Sequence, residues 1–453
     1  MKNKRGSAAV LMAMITVTLS MAILSSILIT RRMAIRSESQ AFGRVWAKAI
    51  LSEYDRHLLQ DYGLMAFFAN NEMVANRIAY YMNYSMKDRL QVQINGASAE
   101  LNGFEMSDPD NFREAIQKSF GTEAVDSLLK KEKRKARTSG SASKSKTSGA
   151  SSGKESSDAK SSSGSGTQKN VREILNPLVI RTLPSHGESD GESVDSALSI
   201  LKSGDYSDSV TSLVRSAPAE FLFIRRYMNS HLKTADSKKH YFVNEWEYII
   251  KGSMNDDTNL KGCRRRIFLI RNALNLIYLY KDPSKVEAVT TIAELITPGP
   301  AGVLTQAIIM EAWAALESET DVQNLLDGKR VPVMKTAKTW NTGLEGVLND
   351  SDMKEKLDEE SRKLLEEKNE EVHEAAGESI RQTVEEGLTY EDYLMVLMAA
   401  MGSETRTLRV MDLVQINMKY RYYRDFNLAE YYGGVNFTMK VSGKKYTFSR
   451  EYR

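Results

Sequence analysis

The stretch RGSAAVLMAMITVTLSMAILSSILITRR, Arg5 to Arg32, decides the architecture. Ser7 to Thr30 are 24 consecutive residues without a charge. As a helix at about 1.5 Å per residue they extend roughly 36 Å, more than a hydrocarbon core of about 30 Å. The hydroxyls of Ser7, Thr16, Thr18, Ser20, Ser25, Ser26 and Thr30 can bond back to carbonyls of the preceding turn and so do not forbid burial in lipid. A cleaved secretory signal has a shorter apolar region, roughly 7–15 residues, and ends in a small-residue cleavage site. Here the run ends in Arg31-Arg32. The expectation is a transmembrane helix over 7–30. Lys2, Lys4 and Arg5 precede it and Arg31, Arg32 and Arg36 follow, so the positive-inside count nearly balances. The free amino terminus tips it toward residues 1–6 in the cytoplasm. The expected location is then the cell membrane, single-pass, with the bulk extracytoplasmic.

The remaining composition fits a folded body on that anchor. The chain has 453 residues, 27% charged and 42% hydrophobic, with a formal net charge of +3. That balance argues against a globally basic nucleic-acid binder. One cysteine, Cys263, excludes an internal disulfide and a cysteine-based zinc cluster. The mean hydropathy of −0.41 is that of a soluble protein and masks the apolar span.

Beyond the span, Ile35, Phe42, Val45, Trp46, Ala49, Ile50 and Leu58 recur at helical spacing with charges between them. The expectation is one amphipathic helix continuing to about Asp61, stopped by Gly63. A second helix is expected over Asn71 to Asp88. Leu90 to Ile94 alternates, Asn95-Gly96 signals a turn, and Ala97 to Phe104 is a possible return strand. Asp108-Pro109-Asp110 opens a helix to Lys118, and another starts near Thr122. Residues 31–138 thus hold the stalk helix and the first part of the folded domain.

Residues 139–170 are dominated by Ser, Gly and Lys without apolar periodicity, and are expected to be a disordered loop. The basic run Lys130 to Lys135 has no interleaved aromatics for base stacking, which argues for a solvated helix end. Residues 171–453 form the main helical region. Helices are expected at Ser193–Ser203, Ser207–Arg215, Ala219–Lys233, Leu260–Tyr280, Val286–Leu295 and Gly302–Glu317, with Thr297-Pro-Gly-Pro300 as a breaker. A charged insertion occupies 351–387. Thr389 with Asp392 has the spacing of a capping box opening a helix to Met401, followed by one over Glu404–Tyr420. Alternation returns at the end, giving a β-hairpin over 435–449 that is expected to pair with the Leu90–Phe104 segment. The fold class is therefore mostly α, of the α+β type, with a small antiparallel sheet.

Catalytic constellations are absent from the sequence. There is no G-x-S-x-G, H-E-x-x-H, Walker or dinucleotide fingerprint. The five histidines, His57, His186, His231, His240 and His373, lie more than four residues apart, so helical metal spacing is missing. Cys263 is expected to be a core cysteine with no base beside it. Arg264, Arg265 and Arg266 are expected to point in different directions round a helix, some pairing with Asp256, Asp257 or Glu247. The Tyr420–Tyr432 cluster and Tyr80, Tyr81 and Tyr84 offer either a contact surface or core packing. The chain is expected not to be an enzyme, with no cofactor, no metal, no nucleic acid and no small-molecule substrate.

Specific strings add a resemblance. Arg5-Gly-Ser-Ala-Ala-Val10 before the apolar span resembles the N-terminus of TadE/TadG-like proteins of Tad (Flp-type) pilus loci. Lys48 to Leu64 resembles an uncharacterised membrane-anchored family of Gram-positive Tad-like loci, through Tyr54, Asp55, Leu58, Leu59, Tyr62 and Gly63. Two further segments resemble that family. One holds Glu247, Tyr248 and Gly252 with Arg271 and Asn275 downstream. The other holds Tyr390, Tyr393 and Leu394 with Asp412 and Asn417. The resemblance implies a pilin-like stalk and an accessory or minor component of a Tad-like pilus, acting through other pilus-assembly or envelope proteins. Surface adhesin or sensor is the alternative. Gly6-Ser7 is a possible processing site, but the fifth position after Gly6 is Leu11, where cleaved pseudopilins carry Glu. An uncleaved anchor in membrane lipid through 7–30 is therefore expected.

Overall fold

The computed structural model describes residues 4–87, 92–119, 171–187, 194–203, 219–232, 240–348 and 387–452. The chain divides into two units, one made of residues 1–159 with 425–453, the other of 160–424.

The first unit is organised by α1 (Lys4–Leu51), 48 residues without a break. Its two halves meet different surroundings. From Val10 to Ile29 the apolar side chains touch no protein core, with Leu11 59%, Met21 67% and Ile29 49% exposed. Hydroxyls inside this half do bond back, Thr18 to Met14 O at 3.0 Å and Ser20 to Thr16 O at 2.7 Å. From Ile35 onward the helix is packed, and Trp46 and Ile50 are buried beside Phe67, Ile78, Met82, Phe437 and Met439. Gly43 allows this approach. A Cβ there would lie 2.2 Å from the ring of Phe448.

The helix does not continue to Asp61. It ends at Leu51, where Tyr452 Oη donates to the Leu51 carbonyl at 2.6 Å. Asp55 then caps a new helix, α2 (Arg56–Tyr62), accepting from the His57 and Leu58 amides at 2.8 and 2.9 Å. The Asp55 amide donates to Ala66 O at 2.9 Å, which folds the chain back. Apolar periodicity runs through this corner because Leu58 is buried on the new helix. Gly63 stops α2 as expected, in the left-handed conformation at φ 65°.

Strand β1 (Phe67–Phe68) leads into α3 (Asn71–Met86), capped by Asn70 and buried along Val74, Ile78, Met82 and Met86. Next, β2 (Ile94–Ala99) replaces the expected strand, turn and strand. Asn95-Gly96 is a bulge within it: Ile94 faces Val441 but Ala97 faces Met439, and Gly96 takes φ 104°. Residues 90 and 91 lie outside the described residues. The helix after Asp108 is present over 109–119. The C-terminus supplies β3 (Tyr431–Tyr432), paired with β1, and the hairpin β4 (Gly434–Val441) and β5 (Lys444–Glu451). β4 is the centre of an antiparallel sheet in the order β2-β4-β5, which is the expected pairing. Ser442 at φ 47° and Gly443 at φ 76° make the two-residue turn.

The second unit is helical. Its described elements include α4 (Pro177–Arg181), α5 (Val194–Ser203), α6 (Ala219–His231), α7 (Glu245–Lys251) and α8 (Asp256–Lys281). They continue with α9 (Pro283–Ile296), α10 (Gly302–Leu326), α11 (Glu345–Leu348), α12 (Tyr390–Ala400) and α13 (Ser403–Arg421). The breaker after Ile296 separates α9 from α10, which runs past Glu317 because Val322 and Leu325 are also buried. A core of Leu279, Val289, Ile292, Ile309, Trp313 and Trp340 joins them. The Thr389–Asp392 capping box is formed in both directions. The expected helices near Thr122 and at Ser207–Arg215, the loop 139–170 and nearly all of the charged insertion lie outside the described residues.

Gly43→Val places a branched side chain against Phe448. Overpacking of this kind costs about 1–3 kcal/mol. Thermal unfolding of the variant is expected to fall accordingly, while Lys48→Ala, at an exposed position on the same helix, stays within about 0.5 kcal/mol. Equal unfolding temperatures for Gly43→Val and wild type contradict the close approach.

Candidate functional site

The motif residues of the second unit converge on buried polar clusters. Helix α8 is started by Asn255, whose side chain accepts from the Thr258 amide, and its buried face carries Cys263, Arg266, Arg271 and Asn275. Arg271 is fully buried. Its Nε donates to Asp321 Oδ2 at 3.0 Å, and its Nη1 donates to Pro332 O, Val333 O and the Tyr393 hydroxyl at 2.9, 2.8 and 3.2 Å. Its Nη2 donates to Asn275 Oδ1 at 2.8 Å, and Asn275 Nδ2 donates to Ser318 and to Asp321 at 3.0 and 3.1 Å. Lys335 completes the cluster, 2.6 Å from Asp321 Oδ1 and 2.5 Å from Glu317 Oε1. Glu317 also accepts from the amides of Asn341 and Thr342. Two cations thus neutralise two carboxylates with almost no water contact. Burial works to raise the Asp321 carboxyl, but the Arg271 and Lys335 charges overcome it and hold the group below its ordinary range.

A second cluster centres on Asp412 of α13. Its Oδ1 accepts from the Ser185 amide at 3.0 Å, and its Oδ2 accepts from the Ser185 and Tyr248 hydroxyls at 2.5 and 3.0 Å. The Arg409 guanidinium lies 5.8 Å from the Tyr248 ring centroid and against Gly252. Gly252 is required twice over, by φ 73° and because a Cβ would lie 1.5 Å from Arg409 Nη1. Burial pushes the Asp412 carboxyl up to about 6, against hydrogen bonds from Ser185 and the charge of Arg409.

Nearby, Asn417 accepts from the Tyr241 amide at 2.8 Å and donates to Glu245, which also bonds His240 Nδ1 at 3.0 Å. Glu247 accepts from Tyr390 and Asn244 at 3.0 and 2.9 Å, and burial raises its carboxyl. Leu394 is buried within α12. Glu247, Tyr248, Gly252, Arg271, Asn275, Tyr390, Tyr393, Leu394, Asp412 and Asn417 therefore sit in one helical core, tied by charge and hydrogen bonds.

The remaining expected residues are in the first unit. Gly6 and Ser7 lie in the first turns of α1. Asp55, Leu58, Leu59, Tyr62 and Gly63 form α2 and its caps, with Tyr54 beside them. Tyr431 Oη donates to Asp55 Oδ2 at 3.3 Å.

These groups bond to one another inside the core. Burial pushes the Cys263 thiol up, and its sulfur reaches only the Glu247 carbonyl at 3.9 Å. Arg264 pairs with Glu319 at 3.2 Å rather than with Asp256, Asp257 or Glu247, because α10 lies closer to its face of α8. Arg265 is exposed and Arg266 buried, so the three arginines do diverge. Among the described residues no group of three or more His, Cys, Asp or Glu has metal-binding geometry. Lys335, Glu317, Asp321 and Ser318 also carry these clusters; for Glu317 and Asp321 the signal is a charged residue on the apolar face of a helix, whereas Lys335 lies in a loop and offers none.

The family described as "Family of unknown function (DUF5702)" matches residues 154–443. The chain belongs to DUF5702. The DUF5702 match takes in all of these clusters and reaches the hairpin turn, while α1 and α2 lie before it. No curated protein and no solved structure matches the chain.

Breaking a buried ion pair by removing one partner costs about 3–5 kcal/mol. Arg271→Met is expected to lose that much in denaturant unfolding; a loss under about 1 kcal/mol contradicts the cluster. For Asp412, the folded-state value lies above the unfolded one. Its contribution to stability is complete below about pH 3.9 and is lost as pH rises through about 6. Asp321 has the opposite sign, contributing above about pH 3.9 and losing that contribution in acid. Asp412→Asn, measured against wild type, is therefore expected to gain on the order of 3 kcal/mol in relative stability between pH 4 and pH 7. A pH-independent difference contradicts it.

Proposed function

We propose that the protein is a single-pass membrane component of a Tad-like (Flp-type) pilus or related secretion apparatus, an accessory or minor part that acts by protein–protein contact on the extracytoplasmic side. The observation that carries the membrane part is α1. One uninterrupted 48-residue helix holds the charge-free run Ser7–Thr30, exposed from Val10 to Ile29, and then a half built into a folded core. Such a helix both anchors the body and fixes its distance from the bilayer. A helix of this length and composition near the N-terminus also passes as a signal sequence. A retained anchor is favoured by the length of the uncharged run, 24 residues, and by its ending in Arg31-Arg32 with no A-x-A-like site.

The pilus part rests on the sequence resemblance at Arg5–Val10 and Lys48–Leu64. The non-enzymatic part is supported by the family-like polar residues being bonded to one another inside the helical core. The adhesin reading keeps one observation. Tyr80 and Tyr84 are 66% and 84% exposed, and their rings stack at 6.5 Å. Phe426 and Tyr431, by contrast, are core residues.

Deleting the gene in its native host is expected to abolish piliation, restored by the full chain and not by a chain lacking residues 7–30. Normal pili after deletion contradict the proposal. Normal pili with lost surface attachment, reproduced by Tyr80→Ala with Tyr84→Ala, establish the adhesin reading instead.

A further inference from the structure

We infer that the tip of the β4–β5 hairpin and the base of the packed half of α1 together form a binding groove for the headgroup of an anionic phospholipid. The inference rests on the proposed membrane span. It begins with where the charges lie. Arg31 and Arg32 follow the apolar run directly. Lys444 and Lys445, at the hairpin tip, line grooves shared with α1: Lys444 joins Arg31 and Arg32 in the lower one, and both lysines join Arg36 and Arg44 in the upper one. Among the described residues, neither groove has an acidic lining residue.

The lower groove offers both kinds of contact that a phospholipid needs. Apolar Leu28, Ile35 and Val441 line it together with Arg31, Arg32, Lys444 and Tyr446. Its volume of ≈ 540 Å³ is within the range of about 300–1,000 Å³ usual for small-molecule sites. Depth agrees. The headgroup layer adds roughly 5–7 Å to each face of the hydrocarbon core. At about 1.5 Å per residue, Arg31 and Arg32 fall inside that layer when Thr30 ends the core. A tyrosine at this level is a usual interfacial side chain.

The tip is also held in place. The Ser442 amide donates to Gln93 O at 2.8 Å, and the Gly443 amide donates to Asn95 Oδ1 at 3.2 Å. The groove therefore costs little ordering on binding.

The full-length protein is reconstituted in vesicles of phosphatidylcholine and phosphatidylglycerol in equal amounts, extracted in neutral detergent, and the co-isolated lipid is identified by native mass spectrometry. Phosphatidylglycerol is expected to be retained in preference. Lys444→Gln with Lys445→Gln, at exposed positions, is expected to lower that retention by at least about fivefold, the effect of roughly one basic residue at an anionic surface. Arg32→Gln, on the helix, is expected to lower it independently. All variants are expected to resist alkaline extraction from pure phosphatidylcholine vesicles and to unfold as wild type does. Equal retention of the two lipids, or unchanged retention in both variants, with extraction resistance intact, overturns the lipid site and leaves the span standing. Release of the wild type by alkali overturns the span and the site with it.

Discussion

Everything in the first unit depends on the continuity of α1, whose two halves meet different surroundings. A helix satisfies its own backbone hydrogen bonds, so it can leave a protein core and enter an apolar medium without interruption. The side chains change role along it. From Val10 to Ile29 they are exposed; after Ile35 they pack on α3 and the sheet. Because the backbone between is continuous, the sheet inherits the helix's position. Gly43 lets β5 come close, and Tyr452 ties the last strand to the end of the helix through the Leu51 carbonyl. The C-terminal hairpin, remote in sequence, is thereby carried to the base of the packed half, where its lysines meet the arginines that follow the apolar run.

The helical unit is governed by a different constraint, the cost of burying charge. Arg271, Lys335, Asp321 and Glu317 are nearly free of solvent, and such groups stay charged only when neutralised and fully hydrogen-bonded. That requirement fixes the angles of α8, α10 and α12 through the Pro332–Val333 carbonyls and the Tyr393 hydroxyl. A cluster of this kind adds little net stability over an apolar core, but losing one partner leaves an uncompensated buried charge. Asp412 shows the complementary solution. It has hydroxyl and amide donors rather than a close ion pair, and its carboxyl rises toward neutrality. Arg271, Asn275 and Asp412 are thus points at which this helical unit is pinned.

The features legible in the sequence were those set by local chemistry. The uncharged run, Gly63 as a stop, Thr389 with Asp392 as a capping box, and the alternating hairpin each follow from neighbours within a few positions. The features missed depend on distant partners. The corner at Ser52–Asp55 rests on a bond from the Asp55 amide to Ala66, while the apolar period runs on to Leu58 undisturbed. Asn95-Gly96 has the residues of a turn, but β4 supplies a partner on both sides of it and makes it a bulge. Resemblance drew attention to Arg271, Asn275 and Asp412, yet their partners Asp321, Ser318 and Ser185 come from other helices and loops.

The proposed placement of α1 is tested most directly by cysteine accessibility, since the native Cys263 is buried. Single cysteines are placed at Lys4, Ser20 and Tyr84 and treated with a membrane-impermeant maleimide, first on intact cells and then after lysis. The account predicts labelling at 84 on intact cells, labelling at 4 only after lysis, and none at 20 until detergent is added. Labelling at 20 after lysis without detergent, or protection of 84 on intact cells, contradicts it.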